Sequence, residues 1–101
     1  MAMVQAQGSL NASNAQDFQH RLTQQIHSDL SSGLMVDMSQ VESLDSAGLI
    51  SLVSALKLAR QTGKRFCLCC VPPSIRIIFE LTQLDRAFEV IDDLPKTLVA
   101  A

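Results

Sequence analysis

From Asn14 onward, apolar residues recur mostly at four-residue steps: Ala15, Phe18, Leu22, Ile26 and Leu30. That spacing puts them on one stripe of a helix, capped by Ser13 or Asn14 and ended by Ser31-Ser32-Gly33. Leu34–Met38 is a short, mostly apolar run bounded by turn residues, as in a strand covered on both faces. A connection over Ser39–Asp45 leads to a second helix, Ala47–Gln61, with Leu49, Leu52, Val53, Leu56 and Ala59 inward and Thr62-Gly63 as its C-cap. In the next strand, Arg65–Val71, Phe66, Leu68 and Cys70 share one face while Cys67, Cys69 and Val71 share the other.

Pro72-Pro73 stops that strand and opens a third helix, which runs to Thr82 with Ile75, Ile78 and Phe79 inward. Ala87–Ile91 reads as a last strand, Asp92-Asp93 as a solvated turn, and Pro95–Ala101 as a short terminal helix. Before all of these, Met3–Ala6 carries a weak strand signal that Gly8, Ser9 and the Asn11–Asn14 stretch cut short. Strands that alternate with helices pair in parallel through crossovers. The pattern therefore predicts one α/β domain over residues 1–101, with a small, mostly parallel sheet of about four strands, helices packed against it, and a shortened N-terminal strand.

Composition narrows the function classes. The chain has 101 residues, 48% of them hydrophobic, which suits one globular domain. Its net charge of -2 and lack of a basic run do not fit a nucleic-acid binder. No apolar stretch approaches the roughly 20 residues needed to span a bilayer, and no leader pattern opens the chain, so a cytoplasmic location is expected. Cys67, Cys69 and Cys70 are odd in number and crowd into one strand, which argues for reduced, buried thiols over a disulfide framework. Zinc needs about four ligands, and His20 and His27 lie in another segment, so no metal site or other cofactor is expected.

The segment Val41–Gly48 joins a strand's C-terminal end to a helix N-terminus, where open α/β sheets place their sites. On position alone, Asp45 or Ser46 reads as an N-cap and Gly48 as a point of close backbone approach. The same position favours a phosphate on Ser46, because a helix start presents unpaired N–H groups and the positive end of the dipole. Ser46 is not in a G-x-S-x-G turn and has no base beside it in sequence, so catalysis by Ser46 or by a cysteine is the least supported reading. Ile50 and Leu58 fall outside the main apolar stripe of their helix and suggest a small contact patch beside this loop.

Several segments together resemble the STAS family, and within it the bacterial anti-sigma-factor antagonists: Gly8-Ser9-Leu10-Asn11, Leu34–Ser39, Leu44-Asp45-Ser46-Ala47-Gly48-Leu49, Lys57–Gly63, Val71–Ile75 and Ile78–Leu84 followed by Phe88. The resemblance implies a non-enzymatic regulatory module. The resemblance implies that Ser46 is phosphorylated by an anti-sigma serine kinase and that a metal-dependent serine phosphatase reverses the modification. It also implies that the unphosphorylated form binds the kinase and frees a sigma factor, with Asn11, Asp45, Ala47 and Gly48 in or beside the switch loop. Three positions depart from the family pattern. Asn11 replaces a frequent Asp, Ala47 a frequent Ser or Thr, and Gln83 a frequent Gly, so the helix before Gln83 is expected to end differently. A constitutive interaction or ligand-sensing module, with Ser46 only a cap, is the alternative.

Overall fold

The computed structural model describes residues 2–27 and 32–91. The sequence expectations for Leu30, Ser31, Asp92-Asp93 and the terminal helix fall outside them. Strands β1 (Ala2–Leu10), β2 (Gly33–Leu44), β3 (Arg65–Cys69) and β4 (Glu89–Ile91) alternate with helices α1 (Ala15–Ile26), α2 (Ser46–Gln61) and α3 (Pro73–Leu81), and a 3-10 turn at Leu84–Arg86 precedes β4. The four strands lie in chain order, and every neighbouring pair is parallel.

Parallel crossovers are right-handed, and when the strand order never reverses, each crossover returns over the same side of the sheet. All three helices accordingly share one core with one strand face. Phe18, Leu22 and Ile26 of α1, Leu52 and Leu56 of α2, and Ile75 and Phe79 of α3 pack on Val4, Ala6, Leu34, Val36, Met38, Phe66 and Leu68. Phe88 closes the far end of this core, its ring centroid 5.5 Å from that of Phe79 and 6.1 Å from that of Phe66. On the opposite face Met35, Cys67 and Cys69 form a second, smaller cluster.

Two strands are longer than the sequence pattern predicts. β1 is not shortened: it continues through Gly8 and Ser9 to Leu10. Gly8 takes a left-handed φ of 72° inside the strand, so its turn chemistry makes an irregularity in the ladder instead of an end. β2 runs past Met38 through the expected connection. Between the paired ends Ala2↔Leu34 and Leu10↔Leu44 it uses two more residues than β1, with register shifts at Gln5/Gln7 and Gly8/Ser9. Each extra residue breaks the two-residue alternation, so buried Val41 and Leu44 fall three apart and the segment loses its strand signature.

The helices follow the sequence more closely. Thr62-Gly63 closes α2, with Gly63 N donating to Arg60 O and Lys64 N to Ala59 O. The buried stripe of α2 is rotated, however: Gly48, Ser51, Ala55 and Ala59 face inward with Leu52 and Leu56, while Leu49 and Val53 are only partly buried. These small residues let α1 approach closely, and Ser51 Oγ lies 3.0 Å from Ala15 O. The end of α3 corrects another expectation. Gln83 adopts the left-handed conformation (φ 61°) and donates to Glu80 O, so this terminus keeps a geometry that glycine would enter without strain.

Candidate functional site

β1 and β2 end side by side at Leu10 and Leu44, and α2 begins within two residues of that edge. Asp45 stands between them in an extended conformation. Its backbone N–H donates to Leu10 O at 3.0 Å, and its carboxylate Oδ1 accepts from Gly48 N at 3.0 Å. Asp45 is therefore the N-cap of α2, anchored to the neighbouring strand end. Gly48 faces the same corner. A Cβ there would lie 2.8 Å from Leu10 O, 2.8 Å from Leu44 Cδ1 and 2.9 Å from Leu10 Cβ, so only glycine lets α2 start this close to the sheet.

Ser46 is the first helical residue of α2, and its side chain is exposed. Asp45 takes the Gly48 N–H, while among the described residues the N–H groups of Ser46 and Ala47 meet no acceptor. A new anion on Ser46 would meet two free donors and the positive end of a 16-residue helix. It would also lie next to the Asp45 carboxylate.

Asn11 directly follows Leu10 and so borders the same corner. Its Oδ1 accepts from Ser13 N at 2.9 Å and from Ser13 Oγ at 2.5 Å, and its backbone N–H donates to Asn14 Oδ1. An aspartate could accept the same two bonds, so asparagine keeps the shape of this turn and removes one negative charge beside α2.

The apolar neighbours of Ser46 differ in part from those expected. Residues three and four positions on share its side of the helix, which places Leu49 and the 61%-exposed Ile50 beside it. Val53, one turn further, continues this face. Leu58 lies further off, at 1.5 Å per residue about 18 Å along the axis from Ser46, and like Leu49 and Val53 it is partly buried against the core. Ser51 escaped the sequence reading. The only hint of it is a run of small residues at helical spacing through Gly48, Ser51, Ala55 and Ala59.

The cysteines are arranged differently from a simple alternating strand. β3 ends at Cys69, and Cys70 takes a left-handed φ of 59°, so it turns to the side of Cys69 and away from Phe66 and Leu68. All three thiols are free. Burial, before all other causes, pushes Cys67 up to about 11 and Cys69 up to about 12. At the exposed edge of this face the Arg65 guanidinium pairs with Glu89 and holds its carboxyl below the usual range. No helix among the described residues is long and apolar enough to cross a membrane.

Known proteins share this fold. The crystal structure of the Thermotoga maritima protein TM1081 superposes with a TM-score of 0.85 at 24% identity, over 97% of this chain and 84% of that one. An anti-sigma factor antagonist from Mycobacterium paratuberculosis has a TM-score of 0.80 at 26% identity, covering 97% and 82% of the two chains. The Bacillus cell fate determinant SpoIIAA, an anti-sigma factor antagonist, is similar in its unphosphorylated form (TM-score 0.72, 12% identity, 97% and 84% covered). Its phosphorylated form is similar too (TM-score 0.74, 13% identity, 97% and 86% covered). The family model for the STAS domain matches residues 1–97, and with a four-stranded parallel sheet carrying its helices on one face, this chain belongs to the STAS domain family.

Proposed function

We propose that this chain is an anti-sigma-factor antagonist that works by partner switching in the cytoplasm, with Ser46 as the switch. Unphosphorylated, it docks the face formed by Ser46, Leu49, Ile50 and Val53 onto an anti-sigma serine kinase, and the kinase lets go of a sigma factor. The kinase then transfers the γ-phosphoryl group of ATP to Ser46 Oγ; the hydroxyl proton passes to a base of the kinase and ADP leaves. A metal-dependent serine phosphatase hydrolyses the phosphoserine and resets the module. The chain supplies the acceptor and the docking face, and the partners supply the catalysis.

The observation that carries this reading is the exposed hydroxyl of Ser46 at the first position of α2, one helical turn from the exposed Ile50. A contact built on such a face excludes water. A phosphate adds about -1.5 to -2 charge in its middle, beside Asp45, and has to be desolvated against the partner. The similar structures of SpoIIAA in phosphorylated and unphosphorylated forms and of the mycobacterial antagonist support the same reading.

The test uses the full chain and the anti-sigma serine kinase of its source cell. With magnesium and ATP, phosphopeptide mass spectrometry is expected to find one phosphate, on Ser46. Ser46→Asp is expected to bind the kinase about tenfold or more weakly, corresponding to about 1.4 kcal/mol of repulsion. An unmodified Ser46, together with a Ser46→Asp variant that binds as tightly as wild type, sinks the proposal.

A further inference from the structure

The face of the sheet turned away from the helices brings together residues that are far apart in sequence. Asp37 of β2 and Cys69 of β3 are direct partners in the parallel register, so their side chains leave the sheet on the same side. The next residue in a regular strand would point to the other face. Cys70 instead takes the left-handed conformation, where its N–H donates to Ile91 O at 3.1 Å and fixes the turn. A carboxylate oxygen of Asp37 and the sulfurs of Cys69 and Cys70 consequently all lie within 4.8 Å of one another.

The surroundings of this trio are unusual for a carboxylate. Asp37 is only 7% exposed, and its Oδ1 accepts from Ser39 N at 2.9 Å. Among the described residues no cation pairs with it, and Arg65 on the same face pairs with Glu89. A buried carboxylate is ordinarily paired with a cation or bound to a metal. Cys69 is fully buried beside it, while Cys70 is half-buried and leaves a path to solvent.

We propose that Asp37, Cys69 and Cys70 form a three-ligand site for a thiophilic divalent cation of the zinc class, with a water as fourth ligand on the open side of Cys70. Two sulfurs select a borderline-soft ion over magnesium or calcium, and three protein ligands plus water is a known tetrahedral set. With metal–ligand bonds of about 2.0–2.3 Å, ligand atoms around one ion stand roughly 3.3–3.8 Å apart, so atoms already within 4.8 Å of one another have only a short way to draw in. Binding converts both thiols to thiolates and releases two protons; the dication offsets the two negative charges this creates, and the Asp37 carboxylate leaves the site with one net negative charge. The Ser39 N–H orients the carboxylate from behind. This site is on the opposite face of the sheet from the helices and does not depend on the role of Ser46.

The test is made on the full chain, reduced and freed of metal with a chelator. One equivalent of Co²⁺ is expected to produce a thiolate-to-metal charge-transfer band and the intense d–d bands of a four-coordinate ion. Zn²⁺ is expected to displace the Co²⁺ and abolish both, and Zn²⁺ titrated into the metal-free chain is expected to release two protons per ion. Cys70→Ser and Asp37→Asn each weaken binding by about tenfold or more, while Cys67→Ala leaves it unchanged. Circular dichroism verifies that each variant is folded. Independent of any variant, Zn²⁺ is expected to slow alkylation of Cys70 by iodoacetamide in the wild-type chain. Absence of the charge-transfer band, an equally tight band in Cys70→Ser, or an unchanged alkylation rate overturns the proposal.

Discussion

Gly48→Ala pits two opposing effects against each other at the start of α2. Alanine is favoured over glycine inside a helix by about 0.8–1.0 kcal/mol, and Gly48 lies in the first turn with no left-handed φ to lose. Against this stands the new methyl, which meets Leu10 O and Leu44 Cδ1 at 2.8 Å and Leu10 Cβ at 2.9 Å. The leucine methyl can rotate aside. The Leu10 carbonyl cannot, because it is held in the sheet edge and accepts the Asp45 N–H. Overpacking of this kind costs about 1–3 kcal/mol, and two unyielding contacts place it in the upper part of that range. The expected net effect is a loss of about 1–2 kcal/mol, or roughly 4–15 °C in Tm for a domain of this size. Urea unfolding followed by far-ultraviolet circular dichroism measures it, since the chain has neither tryptophan nor tyrosine. The midpoint should fall with an unchanged slope. A variant as stable as wild type, or more stable, would refute the reasoning, because the helix start would then be free to move away from Leu10 and the position of Ser46 would not be fixed by the sheet.

Removing the cap tests the same corner from the other side: Asp45→Ala gives up the bond to Gly48 N and is expected to cost about 0.5–2 kcal/mol, read in the same urea titration. Gln83→Gly should do the opposite, because glycine enters the left-handed geometry at the end of α3 without strain; the gain, offset in part by unfolded-state entropy, is expected at about 0.5–1 kcal/mol. The thiols predict an alkaline limit. In the metal-free folded chain burial pushes Cys67 up to about 11 and Cys69 up to about 12, against 9.0 ordinarily, so the folded state binds more protons than the unfolded one between the ordinary and the raised values. Their contribution is complete below pH 9 and is lost as pH rises toward 11–12. Cys67→Ala should reduce the steepness of that loss by one proton. Thiolate absorbance, which no tyrosine obscures, checks the titration directly.

The alternation of short apolar runs with amphipathic helices was sufficient to predict an open parallel α/β sheet, because periods of two and near four report which side of each element is buried. Position also singled out the segment around Ser46, since a strand end followed by a helix start is recognisable from local residues alone. Local pattern failed where one element answers to another. The bulges of β2 against β1 erased the alternation over Ser39–Asp45, and Gly8 read as a turn although it lies within a strand. On α2, the inward side was set by the close approach of α1, which selects Ser51 and Ala55 over Leu49 and Val53. The meeting of Asp37 with Cys69 and Cys70 was invisible in sequence for two reasons. The register of two strands 32 residues apart brings Asp37 to Cys69, and a left-handed backbone at Cys70 reverses the side to which its thiol should point. Sequence thus determined the elements and the place of the serine, through interactions within a few residues. Tertiary structure decided the register, the helix rotation and the second cluster, because each depends on contacts between distant segments.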